Sequence, residues 1–181
     1  YVALAVYCAG LDALPAGWPD LPRVAMISVR QNFLADGGHA ERSPMYHLLG
    51  LRDLHLLRAS TIIGGADAGA LDNYALRAAA ALRLLSHPDG DIALFNDAWL
   101  GEALSSDVTA TERPSSGRSD LTDMGYVRLE GDDSVAIFDV GPCGPDDNPA
   151  HAHADFLSTE LSVGGTRFLV DPGTAAYAPG P

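Results

Sequence analysis

The sequence contains no lysine, and its eleven basic residues, all arginine, face 24 acidic ones for a formal net charge of −13. A chain so poor in positive charge is excluded from wrapping a nucleic-acid backbone or lying on an anionic membrane, because both partners need a positive field. A polyanion is disfavoured too, except where arginines gather, since guanidinium groups suit planar carboxylates and sulfates. Cysteine is nearly absent: Cys8 and Cys143 lie far apart without CxxC spacing, which argues for two buried thiols rather than a zinc site or a disulfide framework. No window supplies the roughly 18 uninterrupted apolar residues of a membrane span. The stretch "YVALAVYCAGL" lacks the basic flank and cleavage site of a signal peptide. A start methionine is missing as well. The chain opens on Tyr1 and closes on "AAYAPGP", just after a strand-like run, so we read it as a fragment of a longer protein.

What is present is an ordinary globular composition, 47% hydrophobic and 19% charged over 181 residues, enough for one sizeable core or two small ones. The first half carries a helical period. One helix is expected from Arg23 to Leu34, broken by "ADGG". A second starts at Ser43-Pro44, the hydroxyl capping and the proline at the first helical position, with Met45, Leu48, Leu49, Leu56 and Leu57 as its buried stripe. A third runs from about Ala70 to Leu85 and stops at "HPDGD". After a polar linker at 110–120 the period falls from about 3.6 to 2. "GYVRLEG" and "SVAIFDVG" read as strands, and "LSTELSVGGTRFLVD" as two strands around Gly164-Gly165. The expected layout is helical over 1–109 and β over 121–181.

Three stretches carry residues suited to chemistry. In "HAHADF", residues i, i+2 and i+4 of an extended segment share a face, so His151, His153 and Asp155 are expected to project together. Imidazole and carboxylate at that spacing suit zinc; a solvent-facing strand edge is the equally weighted alternative. The pattern is similar to the HxHxDH box of metallo-β-lactamases, with Phe156 in place of the last histidine. In "DGGHAERSPMYH", His39, Glu41 and Arg42 occupy the turn before a capped helix, where unpaired amides favour an anion, while Tyr46 and His47 read as packing residues. "HPDGDIALFNDAW" reads as a loop and a helix cap.

Taken in order, "DGGHAERSPMYHLLGLRDL", "HPDGDIALFND" and the long run from "GYVRLEGDDSVAIFDVG" to "DPGTAAYAPGP" resemble the heparinase II/III-like polysaccharide lyases. The resemblance implies the C-terminal part of an (α/α) toroid followed by an antiparallel β-sandwich, truncated here, with the substrate cleft between them. It implies β-elimination at a uronic acid of an acidic polysaccharide, and a periplasmic or secreted protein. His39 matches the residue that neutralises the uronate carboxylate and His151 the catalytic histidine of the sandwich. Glu41, Arg42 and Tyr177 are the implied substrate contacts, Tyr177 standing in for a toroid tyrosine, because "HPDGDIALFNDAW" offers Phe95 and Trp99 but no tyrosine. His153 and Asp171 match two ligands of one structural zinc, whose third ligand is expected beyond Pro181. A regular hairpin at Gly164-Gly165 would put Asp171 opposite Ser158, roughly 16 Å along the strand from His153, so the metal requires a bend or bulge between them. Two other functions stay open: a non-catalytic glycan-binding relative in exopolysaccharide assembly, and a metal-dependent hydrolase using His151, His153 and Asp155.

Overall fold

In the computed structural model, which describes residues 21–63, 65, 67–102, 116–144, 151 and 153–174, three helices precede a five-stranded sheet. Cys8, Tyr177 and everything after Thr174 lie outside the described residues. Helix α1 (Leu21–Asn32) buries Ala25 and Val29, one turn apart, and Phe33 just after its end. Helix α2 (Pro44–Ile63) starts where Ser43 and Pro44 require: the Ser43 Oγ accepts the Tyr46 amide at 3.4 Å and the proline needs no acceptor. Its buried stripe differs from the expected one. Met45, Leu48, Leu51, Leu54 and Leu57 are buried, whereas Leu49 is partly exposed and Leu56 is 49% exposed. A three-residue step falls about 60° short of a helical turn, so the stripe winds around α2, and Leu56, which continues the face of Met45, ends in solvent. Helix α3 (Gly69–Leu84) turns Leu71, Ala75, Ala78 and Leu82 inward, and these small side chains let α2 and α3 pack closely.

The sheet is antiparallel throughout, in the order β1 (Gly117–Leu121), β2 (Tyr126–Glu130), β3 (Ser134–Asp139), β4 (Thr159–Val163), β5 (Thr166–Leu169). Strand β1 takes most of its residues from the stretch read as linker, whose "SGRSDL" has too few apolar residues to announce a strand. The β4–β5 turn is the expected two-residue hairpin, Val163 facing Thr166, with Gly164 and Gly165 at φ +60° and +76° where other residues would be strained. A bulge at Leu161/Ser162 shifts the register beyond it.

The sheet shows two faces. Inward lie Tyr126, Arg128, Val135, Ile137, Asp139, Glu160 and Ser162, packed with Leu85, Phe95 and Met124 into a core that joins the helical layer to the sheet. Outward, Leu129, Val163, Phe168 and Val170 are exposed. A β-sandwich places a second sheet over such a face; the described residues supply one sheet. Cys143 is exposed rather than buried, its thiol donating to the His153 carbonyl at 3.0 Å; its "GPCG" setting places it in a loop after β3. Among the described residues no helix is long and apolar enough to cross a membrane.

Candidate active site

The turn after α1 folds back on itself. Leu34 donates to the Gly38 carbonyl at 2.8 Å and Ala40 to that of Asn32 at 2.8 Å, so that Phe33 and His39 form an antiparallel bridge. Asp36 holds this turn from both sides, accepting the Gly38 amide at 2.9 Å and the amides of Asp123 and Met124 at 2.7 and 2.8 Å. His39 is thereby pressed edge-on against Phe33, ring centroids 5.6 Å apart, and over Gly50 of α2. Its Nδ1 accepts the Glu41 amide at 3.3 Å, which leaves the ring proton on Nε2. Burial, and then the neighbouring His47 and His151, lower its pKa to about 3. His39 is therefore a neutral donor, not a cation.

The loop carrying "HAHADF" is not a strand, and its three polar residues do not share a face. His151 Nδ1 meets Asp97 Oδ2 at 2.7 Å and its ring packs at a 45° tilt against Tyr46, 4.2 Å between centroids, while Nε2 stands 4.0 Å from Glu41 Oε2. His153 has other partners: its amide donates to Asn96 Oδ1 at 3.0 Å and its Nε2 lies 3.3 Å from Thr174 Oγ1, which itself bonds Asp97. Asp155 accepts the Asn96 amide and feels both Asp171, which raises its pKa, and His153, which lowers it, although burial is the main upward cause. The extended reading fails because Asn96, at φ +58°, takes backbone and side-chain bonds from the loop that a neighbouring strand would otherwise satisfy.

A cavity of about 390 Å³, within the range of small-ligand pockets, opens between α1, α2 and the turn joining them, where His151 meets it from the loop before β4. His39, Glu41, Tyr46 and His151 line it together, with Asn32, Gly50, Arg52 and Asp53 among the residues of its helical wall. Arg42, also expected at the substrate, is not in this lining. Its Nη1 donates to the Met124 carbonyl at 2.8 Å and its own carbonyl accepts the Tyr126 hydroxyl at 2.7 Å. Tyr177 lies outside the described residues. Sequence reasoning missed Tyr46 and Asp97. Tyr46, which reads as a packing residue, sits in the first turn of α2 with its hydroxyl on Asp97 and its ring against His151. Nothing local marks Asp97, whose partners are 51, 54 and 77 residues away.

The zinc ligands expected at His153 and Asp171 have the right donor chemistry, and the required bend exists: Ser158 donates to the Asp155 carbonyl at 2.6 Å and Leu157 adopts φ +68°. Both Asp171 oxygens are already bonded, Oδ2 to Ser158 Oγ at 2.7 Å and Oδ1 to the Gly173 amide at 2.9 Å. Among the described residues no three His, Cys, Asp or Glu side chains are arranged to hold an ion. The described residues alone do not complete a metal site.

A helical layer, an antiparallel sheet and a cavity in the helical layer that His151 enters from a loop of the β half define the architecture. Residues 113–181 match the family described as heparinase II/III-like, C-terminal, and the chain is consistent with that family. No curated protein matches the sequence. Among solved structures, the heparan sulfate lyase HepC from Pedobacter heparinus is 18% identical with a TM-score of 0.75, covering 99% of this chain and 33% of that one. A heparinase III gene product is 16% identical at a TM-score of 0.75, over 99% and 33%. A further heparinase III structure is 16% identical at 0.76, over 97% and 35%. The chain thus spans about a third of the length of the solved structures it matches, and at these identities the likeness is one of fold.

Proposed function

We propose that this chain contributes the cleft of a polysaccharide lyase that cleaves a uronic-acid-containing acidic polysaccharide by β-elimination, its helices forming part of an (α/α) toroid and the protein working in the periplasm or outside the cell. The observation that carries the reading is that His39, from the helical side, and His151, from the sheet side, line one cavity together with Tyr46, whose ring packs against His151. The chemical difficulty of the reaction is that the proton on C5 lies beside a carboxylate, so its removal places further negative charge on that group. The Nε2–H of His39 donates to the carboxylate and spreads that charge. His151, with Nδ1 bonded to Asp97, takes the C5 proton on Nε2. The C5–H electrons form the C4–C5 double bond, the bond from C4 to the bridging oxygen breaks, and the Tyr46 hydroxyl protonates the departing oxygen. Glu41 accepts from a sugar hydroxyl at the same place.

Incubating the full-length protein with alginate, heparan sulfate, hyaluronan and bacterial uronate polymers is expected to raise the ultraviolet absorbance of a conjugated C4–C5 double bond on at least one of them. Binding without that rise on any polymer overturns the lyase and leaves a glycan-binding protein. His151 bonds to Asp97, His153 to Thr174 and Asp155 to the Asn96 amide, and these different partners weigh against the shared metal of a hydrolase. A structural zinc on His153 and Asp171 remains a proposal that needs a donor from outside the described residues and an exchange of Asp171's partners. If it binds, chelation lowers the melting temperature while elimination continues below that temperature; an unchanged melting curve and no zinc by elemental analysis remove it.

A further inference from the structure

We propose that Asp97 is the positioning residue of this cleft, setting the tautomer of His151 and so deciding which ring nitrogen faces the sugar. Its kinetic consequence rests on the lyase reading above, whereas its structural content does not. Asp97 belongs to the turn after Phe95 and is 1% exposed. Three donors converge on its two carboxylate oxygens: His151 Nδ1 at 2.7 Å and the Tyr46 hydroxyl at 3.4 Å on Oδ2, and Thr174 Oγ1 at 2.8 Å on Oδ1. A carboxylate has no proton to give, so the Nδ1 that meets it carries the hydrogen, and Nε2 is left with a lone pair in the cavity.

The backbone makes the same connection a second time. The Asp97 amide donates to the His151 carbonyl at 3.2 Å, so that the two residues are joined at main chain and side chain, and the ring has little freedom to turn. On the other side the Asp97 carbonyl accepts Ser43 Oγ at 2.9 Å, and the same hydroxyl caps the amide of Tyr46. One residue therefore registers the sheet loop that carries His151 against the helix that carries Tyr46. Without it the two would be set by separate layers of the fold, and an error of about 1 Å in reacting geometry costs on the order of a hundredfold in rate.

Replacing Asp97 with asparagine keeps the volume but presents an amide group to Nδ1, which moves the ring proton to Nε2 and turns a base into a donor. The test uses the full-length protein with nitrogen-15 histidine, the His151 resonances being identified by their loss in His151→Gln. Long-range proton–nitrogen correlation is expected to show the Nδ1–H form in the wild type and the Nε2–H form in Asp97→Asn, with kcat at least about a hundredfold lower in the variant and KM moved far less. A wild-type ring already in the Nε2–H form, or a folded variant that keeps Nδ1–H and its kcat, overturns the proposal. The wild-type spectrum needs no variant, so misfolding of Asp97→Asn does not shelter the idea. If no uronate polymer is cleaved at all, the lyase reading fails while the ring tautomer still decides the role of Asp97.

Discussion

His39 shows how a residue's surroundings revise the role its type suggests. A histidine facing an acidic sugar invites a picture of charge meeting charge, yet burial against Phe33 and proximity to two other imidazoles keep this ring neutral, and the Glu41 amide directs its single proton into the cavity. His39→Ala should therefore lower kcat/KM by at least about a hundredfold, the cost of one donor at the developing charge, while His39→Asn, which restores a neutral donor, recovers part of it; equal losses in steady-state assays would remove His39 from the reaction. Buried ionisable groups also set the response to pH, with opposite signs. The folded pKa values of His39 and His47, about 3 and about 4, lie below the ordinary 6.5, so the stability they contribute is present above that value and is lost as pH falls. Asp139, raised to about 6 from 3.8 mainly by burial, contributes stability below its unfolded value that is lost as pH rises through 6. Asp139→Asn removes that loss. The difference in melting temperature, variant minus wild type, should become more positive between about pH 4 and about pH 7; a flat difference would show that Asp139 does not titrate there.

At the level of elements, the decisive segment is the one that reads as a plain loop. "HPDGDIALFND" lies along the inner face of the sheet and satisfies its polar groups one after another. His87 bridges Ser162 at 2.7 Å and Glu160 at 2.6 Å, the Leu94 amide donates to Glu160 at 2.7 Å, and Asn96 donates to Asp139 at 3.1 Å. Arg167 of β5 reaches Asp89 at 2.7 Å and the Ile92 carbonyl at 2.9 Å. Because the His87–Glu160 pair is wholly buried, Glu160→Ala strands its partners and should cost about 3 to 5 kcal/mol in denaturant melts; a loss under about 1 kcal/mol would mean that water replaces the carboxylate there. A second element-level constraint is Gly50 in the middle of α2. A Cβ at this position would stand 3.0 Å from His39 Cδ2 and 3.2 Å from Nε2. Gly50→Ala should hold or raise helix stability, by up to about 1 kcal/mol, and still reduce activity, because His39 must shift. Unchanged kinetics would show that the ring has room to move.

For the whole molecule, the helices have a core of their own around Met45, Leu48, Leu51 and Leu82, but the inner face of the sheet is covered by Leu85 and Phe95 of the helical half, so that this shared core and the polar clamps tie the helical layer and the sheet together. They should unfold together, so that melts followed by far-ultraviolet and near-ultraviolet dichroism coincide; two separated transitions would mark two independent units. Much of this organisation is legible in the residues. The helical period, Ser43-Pro44, and the hairpin at Gly164-Gly165 are local signals, since capping and positive φ act within a few residues. The change of period near residue 120 likewise separates helices from strands. Strand β1 is not legible, because "GRSDL" pairs through its backbone with β2 and shows no alternation of its own.

The sequence by itself determined the three helices, the strands other than β1, the turn at Gly164-Gly165, and that His39 and His151 belong to different layers, because propensity, capping and periodicity depend on neighbours along the chain. Only the tertiary structure decided that these histidines share a cavity with Tyr46, that Asp97 holds His151, and that His153 and Asp155 bond to Thr174 and the Asn96 amide instead. Those arrangements depend on hydrogen bonds between residues some 50 to 77 positions apart, and no local pattern encodes which distant group will arrive to satisfy a buried carboxylate or imidazole.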